Sequence, residues 1–453
     1  MNMPAVPQEI SAYLDILLTC SCGHEHYAPL KRVSIRSGAL HDLPKFAGEL
    51  GFRSPYLICD AVTYEIAGRR CMEILKAAGI PAAVRVLEHT GFDEATVGEL
   101  LFYMPRSCDL MVAVGTGAVN DMTRFLSFRM GRPFFTVATA APMDGFASAL
   151  AVLNIGHLKT SVDAQTPAAI IGDLEILKNA PYPMIAAGLG DLLGKFTCLC
   201  DWKLSRIINQ EHYCGHIAEL VEACVRQVLD QAGQVREREP KVLGKIMEGL
   251  VLAGVAMSLY GSSRPASGCE HHISHYWEMM LEQAGRQPVP HGAQVGVGTV
   301  LILKLTEALQ RTAVDFDAAR AAARAYRSQV WEAEILGAYG AAAPGIIDLE
   351  RKTGKNDTEG RLRRIDAMEI RWGEILSLLA ALPRSEDLAA ILHSLGAPAS
   401  PAEIGIDAEL LRTTLLYCKE VRPRYTILQM LWDLDVLAPL VDALVKAERD
   451  PVS

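Results

Sequence analysis

Along the first 180 positions, apolar residues come in short runs separated by amphipathic stretches. "KRVSI" (31–35), "PYLICD" (55–60), "PAAVRVLEH" (81–89), "DLMVAVGTG" (109–117) and "PFFTVATA" (133–140) are rich in β-branched residues as a set, and each predicts a strand. Between them, "YEIAGRRCMEILKAAG" (64–79) has the apolar spacing of a helix with one buried face. Alternation of the two kinds predicts a parallel sheet covered by helices. "AAIIGDLEIL" (168–177) reads as the last strand of that half and the turn after it.

From about residue 182 the pattern changes. Strand runs vanish, and helical periodicity spans 217–232, 242–260, 269–285, 294–310, 317–339, 358–381 and 424–447. The stretch 341–357, "AAAPGIIDLERKTGKND", reads as a loop within this half. Two prolines in "KNAPYPM" (178–184) mark the change. The expected organisation is an α/β domain over 1–181 followed by an all-α domain over 182–453. The most apolar segment, "GLVLAGVAMSLYG" (249–261), reads as a buried core helix too short to span a bilayer.

Composition narrows the class. Half of the 453 residues are apolar and 21% are charged, as in a soluble globular protein. The net charge of −9, with no basic run, excludes a nucleic-acid footprint. Eleven cysteines in a chain of this length do not form a disulfide scaffold. The opening "MNMPAVPQEISAYLDILLTC" lacks a basic start followed by an apolar core, so reduced thiols in the cytoplasm are expected.

Three stretches carry candidate chemistry. In "VAVGTGAVNDMTRFLSF" a strand, a Gly115-Thr116-Gly117 turn and a helix follow one another. Glycines let backbone amides approach a phosphate at a helix N-terminus. The same pattern also serves as a plain strand-to-helix turn. Asn120 stands where a third glycine is usual, and no acid follows at the spacing that holds a ribose, so Asp60 at the end of an earlier strand is the alternative. "TAAPMDGFAS" (139–148) then follows a strand at its carboxyl end, where parallel sheets bind ligands.

The third stretch is "GCEHHISHYWEM" (268–279), with His271, His272 and His275. Glu270 precedes the histidines, which rules out the zinc-protease order. On a helix, His271 and His275 share a face and His272 is turned about 100° away. A helical hairpin would return His291 to the side of His271. With Asp191 of "GLGDLLGK", read as opening the first helix of this half, these make an open divalent-metal site; the alternative is three separate histidines. "TCSCGHEHYAP" (19–29) places Cys20, Cys22, His24 and His26 on one face of a strand, with spacing unlike a zinc finger, and no chemistry is assigned to it. Cys198 and Cys200 read as core residues of a helix.

Taken together, "GTGAVND", "TAAPMDGFAS", "MIAAGLGDLLGKFTCLCDWKLS", "SRPASGCEHHISHYWEM" and "HGAQVGVGT" resemble the sn-glycerol-1-phosphate dehydrogenases, most closely their bacterial branch. That family lies within the dehydroquinate synthase-like and iron-containing alcohol dehydrogenase superfamily. The resemblance implies a Rossmann-like N-terminal domain, an all-helical C-terminal domain, and reversible reduction of dihydroxyacetone phosphate to sn-glycerol 1-phosphate. It implies NAD as cofactor, with NADP also admissible, and one divalent metal (zinc, nickel or iron). It places metal on Asp191, His271 and His291, and substrate on Asp144, Asp191 and His275, with His275 catalytic. It places the nucleotide on Asp60, Gly117, Ala118, Val119, Asn120, Asp121, Thr139, Ala140, Ala141, Pro142 and Ser148. His272 is then a bystander.

Under this reading the substrate phosphate meets Lys195 or Arg264, whose alternative is surface salt bridging, and Asp60 favours NADH over NADPH. A homo-oligomer, as a dimer, is expected, with no nucleic-acid partner and no membrane insertion. Three rivals are a dehydroquinate synthase-like cyclase, a non-catalytic ligand-binding relative, against which the presence of all proposed ligands argues, and a dehydrogenase of an unphosphorylated polyol or alcohol. The cyclase family shows Gly-His-x-x-Gly-His-Ala where this chain has "EHHISHYW". The polyol reading is not separated by sequence.

Overall fold

The computed structural model describes residues 9–88, 93–155, 158–229 and 232–449; the last residue of the 81–89 strand reading and the first eight of the chain lie outside them. Two compact units result. One comprises 1–192 and 214–266, the other 193–213 and 267–453. The expected division at 181/182 follows the point where strands stop. The compact units divide differently, because three helices beyond it belong with the sheet.

Among its described residues the first unit has ten strands: β1 (Ile16–Thr19), β2 (Glu25–Ala28), β3 (Arg32–Arg36), β4 (Pro55–Asp60), β5 (Ala83–Leu87), β6 (Leu110–Gly115), β7 (Phe134–Ala138), β8 (Leu150–Ile155), β9 (Leu158–Asp163) and β10 (Ala169–Asp173). Six form a parallel sheet in the order β3-β10-β7-β6-β4-β5. Every residue of β6, β7 and β10 is buried, while the edge strands β3 and β5 are mostly half-buried. That explains the continuous apolar runs: a strand covered on both faces gains nothing from alternation. Successive residues still part to opposite faces. Leu57, Val112, Val137 and Ile171 join one core cluster, and Tyr56, Ile58, Met111 and Phe134 join the other.

β1–β2 and β8–β9 are antiparallel hairpins outside this sheet. No strand was expected over 150–163. Residues 20–24 form the turn of the first hairpin, so the four Cys and His positions do not share one strand face. Helices Tyr182–Leu193, Gly215–Leu229 and Pro240–Tyr260 complete the unit. The last has 21 residues, longer than the 249–261 segment suggests, and by length and composition it would cross a membrane; 83% of its most apolar window is nevertheless buried within the protein.

Among its described residues the second unit is helical. Its centre is a hairpin of helices Cys269–Gln283 and His291–Gln310, brought close at Gly298, where an added Cβ would lie 3.0 Å from the Glu270 carbonyl oxygen. Asp201, on helix Lys195–Asn209, accepts from the amides of Cys269 (2.7 Å) and Ile427 (2.6 Å), the first residues of two helices. Its buried carboxylate thus caps both. The loop expected at 341–357 is in fact helical from Ala343 to Thr353, with Pro344 at its start and left-handed Gly354 ending it. Three long periodic stretches are each divided, at Tyr326–Arg327, at Arg371 and around Asp435 (φ 59°).

Candidate active site

In the sheet, chain order reverses direction between β4 and β6. From β4 the chain steps outward to β5, then returns past β4 to β6 and continues to β7 and β10. Such a switch point opens a crevice at the carboxyl ends of its two strands. Asp60 ends β4, and Gly115 ends β6, so the residues expected to meet a dinucleotide flank it. A Cβ on Gly115 would lie 2.9 Å from the Val119 Cβ, which is why the turn is tight. Gly117 (φ +40°) has open space where a side chain would stand, and begins helix Gly117–Arg129. Its first-turn amides have no acceptor within a helix and favour an anion. The buried hydroxyl of Thr116 and the buried amide nitrogen of Asn120 have no partner among the described residues. These are the features a bound pyrophosphate would use.

Other expected nucleotide residues do structural work. Asn120 Oδ1 accepts from Thr136 of β7 (2.7 Å), tying helix to strand where a third glycine would have packed closely. Asp121 pairs with the buried Arg124 (2.7 Å) and accepts from the Val152 amide (3.2 Å). Ser148 accepts from the Leu150 amide (3.0 Å). Asp60 caps the helix after β4 by accepting from the Thr63 amide (2.7 Å), within a capping box.

The segment 139–148 is held from behind by two helix glycines. A Cβ on Gly188 would stand 2.1 Å from the Ala141 carbonyl oxygen, and one on Gly254 would stand 2.8 Å from the Asp144 carbonyl oxygen. Thr139, Ala140 and Asp144 are buried there. The Asp144 amide donates to Asp191 Oδ2 (2.9 Å). Asp191 does not open a helix; it lies in the last turn of Tyr182–Leu193, fully buried.

In the second unit, the helical hairpin gathers three imidazoles. Ring centroids of His271 and His291 are 5.3 Å apart, and His275 lies 6.2 Å and 5.4 Å from them. His271 Nδ1 is 2.7 Å from Glu270 Oε1. Glu270 is fully buried, and also accepts from Thr197 Oγ1 (2.6 Å) and the Gly268 amide (2.7 Å). Burial works to raise its pKa, but the bonds from His271, Thr197 and Gly268 together bring it below the ordinary value. His291 Nδ1 is 3.0 Å from Glu278 Oε1. A carboxylate offers only acceptors, so both histidines carry their proton on Nδ1, which makes Nε2 the unprotonated ring nitrogen. That is the orientation of metal-bound histidine with its outer carboxylate. Glu270 and Glu278 were not picked out in the sequence. An acid in the first turn, adjoining a candidate ligand, is the signal for Glu270.

His275 Nδ1 is 3.4 Å from Glu278 Oε2, and burial pushes its pKa down to about 3. His272, rotated away as expected, is fully buried with neither ring nitrogen partnered among the described residues, and burial holds it neutral. Lys195 and Arg264 are both buried, which removes the surface-salt-bridge alternative.

Known proteins match at both levels. Residues 34–181 match the family model of iron-containing alcohol dehydrogenase. The glycerol-1-phosphate dehydrogenase (NAD(P)+) of Halalkalibacterium halodurans is 30% identical over 91% of this chain and 95% of its own length; that of Bacillus licheniformis is 31% identical over 95% and 96%. The crystal structure of a probable glycerol dehydrogenase from Sinorhizobium meliloti superposes with a TM-score of 0.61 at 15% identity, covering 93% of this chain and 98% of that one, a likeness of fold. The two near-full-length relatives at 30% and 31% identity establish that the chain belongs to the glycerol-1-phosphate dehydrogenases.

Proposed function

We propose that this chain interconverts dihydroxyacetone phosphate and sn-glycerol 1-phosphate, using NADH or NADPH and one divalent metal ion. The observation that carries the proposal is the pair of imidazoles, His271 and His291, each with Nδ1 held against a glutamate, the orientation that assigns coordination to Nε2. Asp191 is the third ligand that the family resemblance adds, a buried carboxylate already steadied by the Asp144 amide. When bound, the ion supplies Lewis acidity toward the C2 oxygen and the nicotinamide supplies hydride. Zinc, nickel and iron all suit this donor set.

The protein's own groups do the rest. Gly117–Asp121, the Thr139–Pro142 segment and Ser148 receive the nucleotide, and Asp60 faces its ribose, favouring NADH by repelling a 2′-phosphate. Asp144, Asp191 and His275 meet the substrate, whose phosphate pairs with Lys195 or Arg264. His275, neutral across the working range, holds a water or the substrate hydroxyl at its ring nitrogen and passes the proton through that contact. The enzyme works in the cytoplasm as a homodimer.

The test is steady-state oxidation of NADH with dihydroxyacetone phosphate, dihydroxyacetone and glyceraldehyde 3-phosphate. Only the first should be turned over efficiently; equal kcat/KM for dihydroxyacetone would make the protein a polyol dehydrogenase. His275→Ala should keep its metal and lose roughly 10²–10⁴-fold in kcat. Loss of metal in that variant would make His275 a ligand.

A further inference from the structure

The hairpin β1–β2 contains a cluster that the reaction does not use. Its turn carries Cys20 and Cys22, and β2 carries His26. Cys214, the residue before helix Gly215–Leu229 and far away in sequence, comes to the same place. One ligand atom from each of the four lies within 4.8 Å of the others. We infer that Cys20, Cys22, His26 and Cys214 bind a second divalent cation, tetrahedrally, of the thiophilic zinc class.

Three observations support this. The first is the donor set: three thiols and one imidazole with no carboxylate is the composition of a closed structural zinc site. The second is spacing. Cys20 Sγ and Cys214 Sγ are 3.5 Å apart, and Cys22 Sγ and His26 Nε2 are 3.2 Å apart. Metal–sulfur bonds of about 2.3 Å and metal–nitrogen bonds of about 2.0 Å give tetrahedron edges of about 3.5–3.8 Å. The third is orientation. His26 Nδ1 is 2.9 Å from the Leu259 carbonyl oxygen, which only accepts, so Nδ1 carries the proton and Nε2 is free to coordinate.

Burial agrees with this assignment. His26 and Cys214 are buried and form the floor, while Cys20 and Cys22 are half-buried and give the cation access. His24, the remaining member of the sequence motif, is exposed and takes no part in this set. Binding would release the thiol protons to solvent, leaving thiolates on the cation. All four positions are filled by the protein, so the site is structural. It would fasten the hairpin to the start of helix Gly215–Leu229 and, through His26 and Leu259, to helix Pro240–Tyr260.

The experiment uses the full chain reloaded with Co2+. A thiolate-to-cobalt charge-transfer band in the near ultraviolet is expected. The proposed catalytic ligands Asp191, His271 and His291 contain no sulfur, so they cannot produce it. In the natural protein, metal analysis should give two equivalents per chain, falling to one in Cys22→Ser/Cys214→Ser. His271→Ala should lose the other equivalent and keep the band; a failure there would count against the catalytic ligands and leave this site standing. Absence of the band in the wild-type chain would overturn the inference even if the double variant fails to fold. So would a mass two hydrogens lower in unreduced protein, which would mean a Cys20–Cys214 disulfide.

Discussion

Glu270 is a carboxylate buried completely because three donors converge on it, and one of them is His271. Glu270→Gln keeps an acceptor but removes the charge that makes Nε2 a stronger ligand. Metal affinity should fall about 10–100-fold, read by competition with a chelator; an unchanged affinity would separate Glu270 from the metal. The candidate ligands were legible because the i, i+4 spacing of His271 and His275 and the Pro-flanked return to His291 constrain geometry. The outer carboxylates were not, since whether a glutamate folds back onto its neighbour depends on what else donates to it, here Thr197 and the Gly268 amide. Asp60 shows a different limit: its place at the end of a strand was legible, its helix-capping bond to Thr63 was not. The informative substitution is therefore Asp60→Asn, which keeps the cap and removes the charge. The ratio of kcat/KM for NADPH to that for NADH should rise about five-fold, the equivalent of roughly 1 kcal/mol between solvated unit charges. If the ratio does not move, Asp60 is not at the ribose.

Helix Tyr182–Leu193 approaches the 139–142 segment so closely that only glycine fits at 188. Gly188→Ala must push the helix and the loop apart, costing about 1–3 kcal/mol. We expect a lower melting temperature together with weaker NADH binding, because the displaced segment is the one proposed to hold the nucleotide; stability and affinity both at wild-type level would refute the close approach. At this scale the sequence was most informative where burial is most complete. β4, β6 and β7 appear as unbroken apolar runs because helices cover both their faces. The β8–β9 hairpin escaped notice because "LAVLNI" and "LKTSVD" neither alternate cleanly nor form one apolar block. Helix Ala343–Thr353 was mistaken for a loop through its Pro and Gly, which in fact mark its two ends. The long periodic stretches concealed breaks, since hydrophobic period persists across a kink that leaves the buried face unchanged.

For the molecule as a whole, His272 links folding to pH. Its folded pKa lies well below 6.5 through burial. Below the ordinary value the unfolded chain therefore binds a proton that the folded chain refuses, and stability falls as pH drops; above it the residue has no effect. His272→Leu should lose less stability between pH 7 and pH 5 than wild type, with metal content intact. Parallel urea titrations would show this, and identical losses would mean His272 is not the linked group. Periodicity announced an apolar face on helices Gly215–Leu229 and Pro240–Tyr260 but not which surface it covers, so the division read at 181/182 left them on the wrong side of the compact units. Their membership matters for how the protein is made. The chain leaves the first unit after residue 192 and comes back for 214–266. A ribosome that has released only the strands has not yet supplied the helices that close the unit. The sheet must therefore wait, with part of its apolar surface uncovered, until residue 266 has emerged, and until then it is a natural client for chaperones.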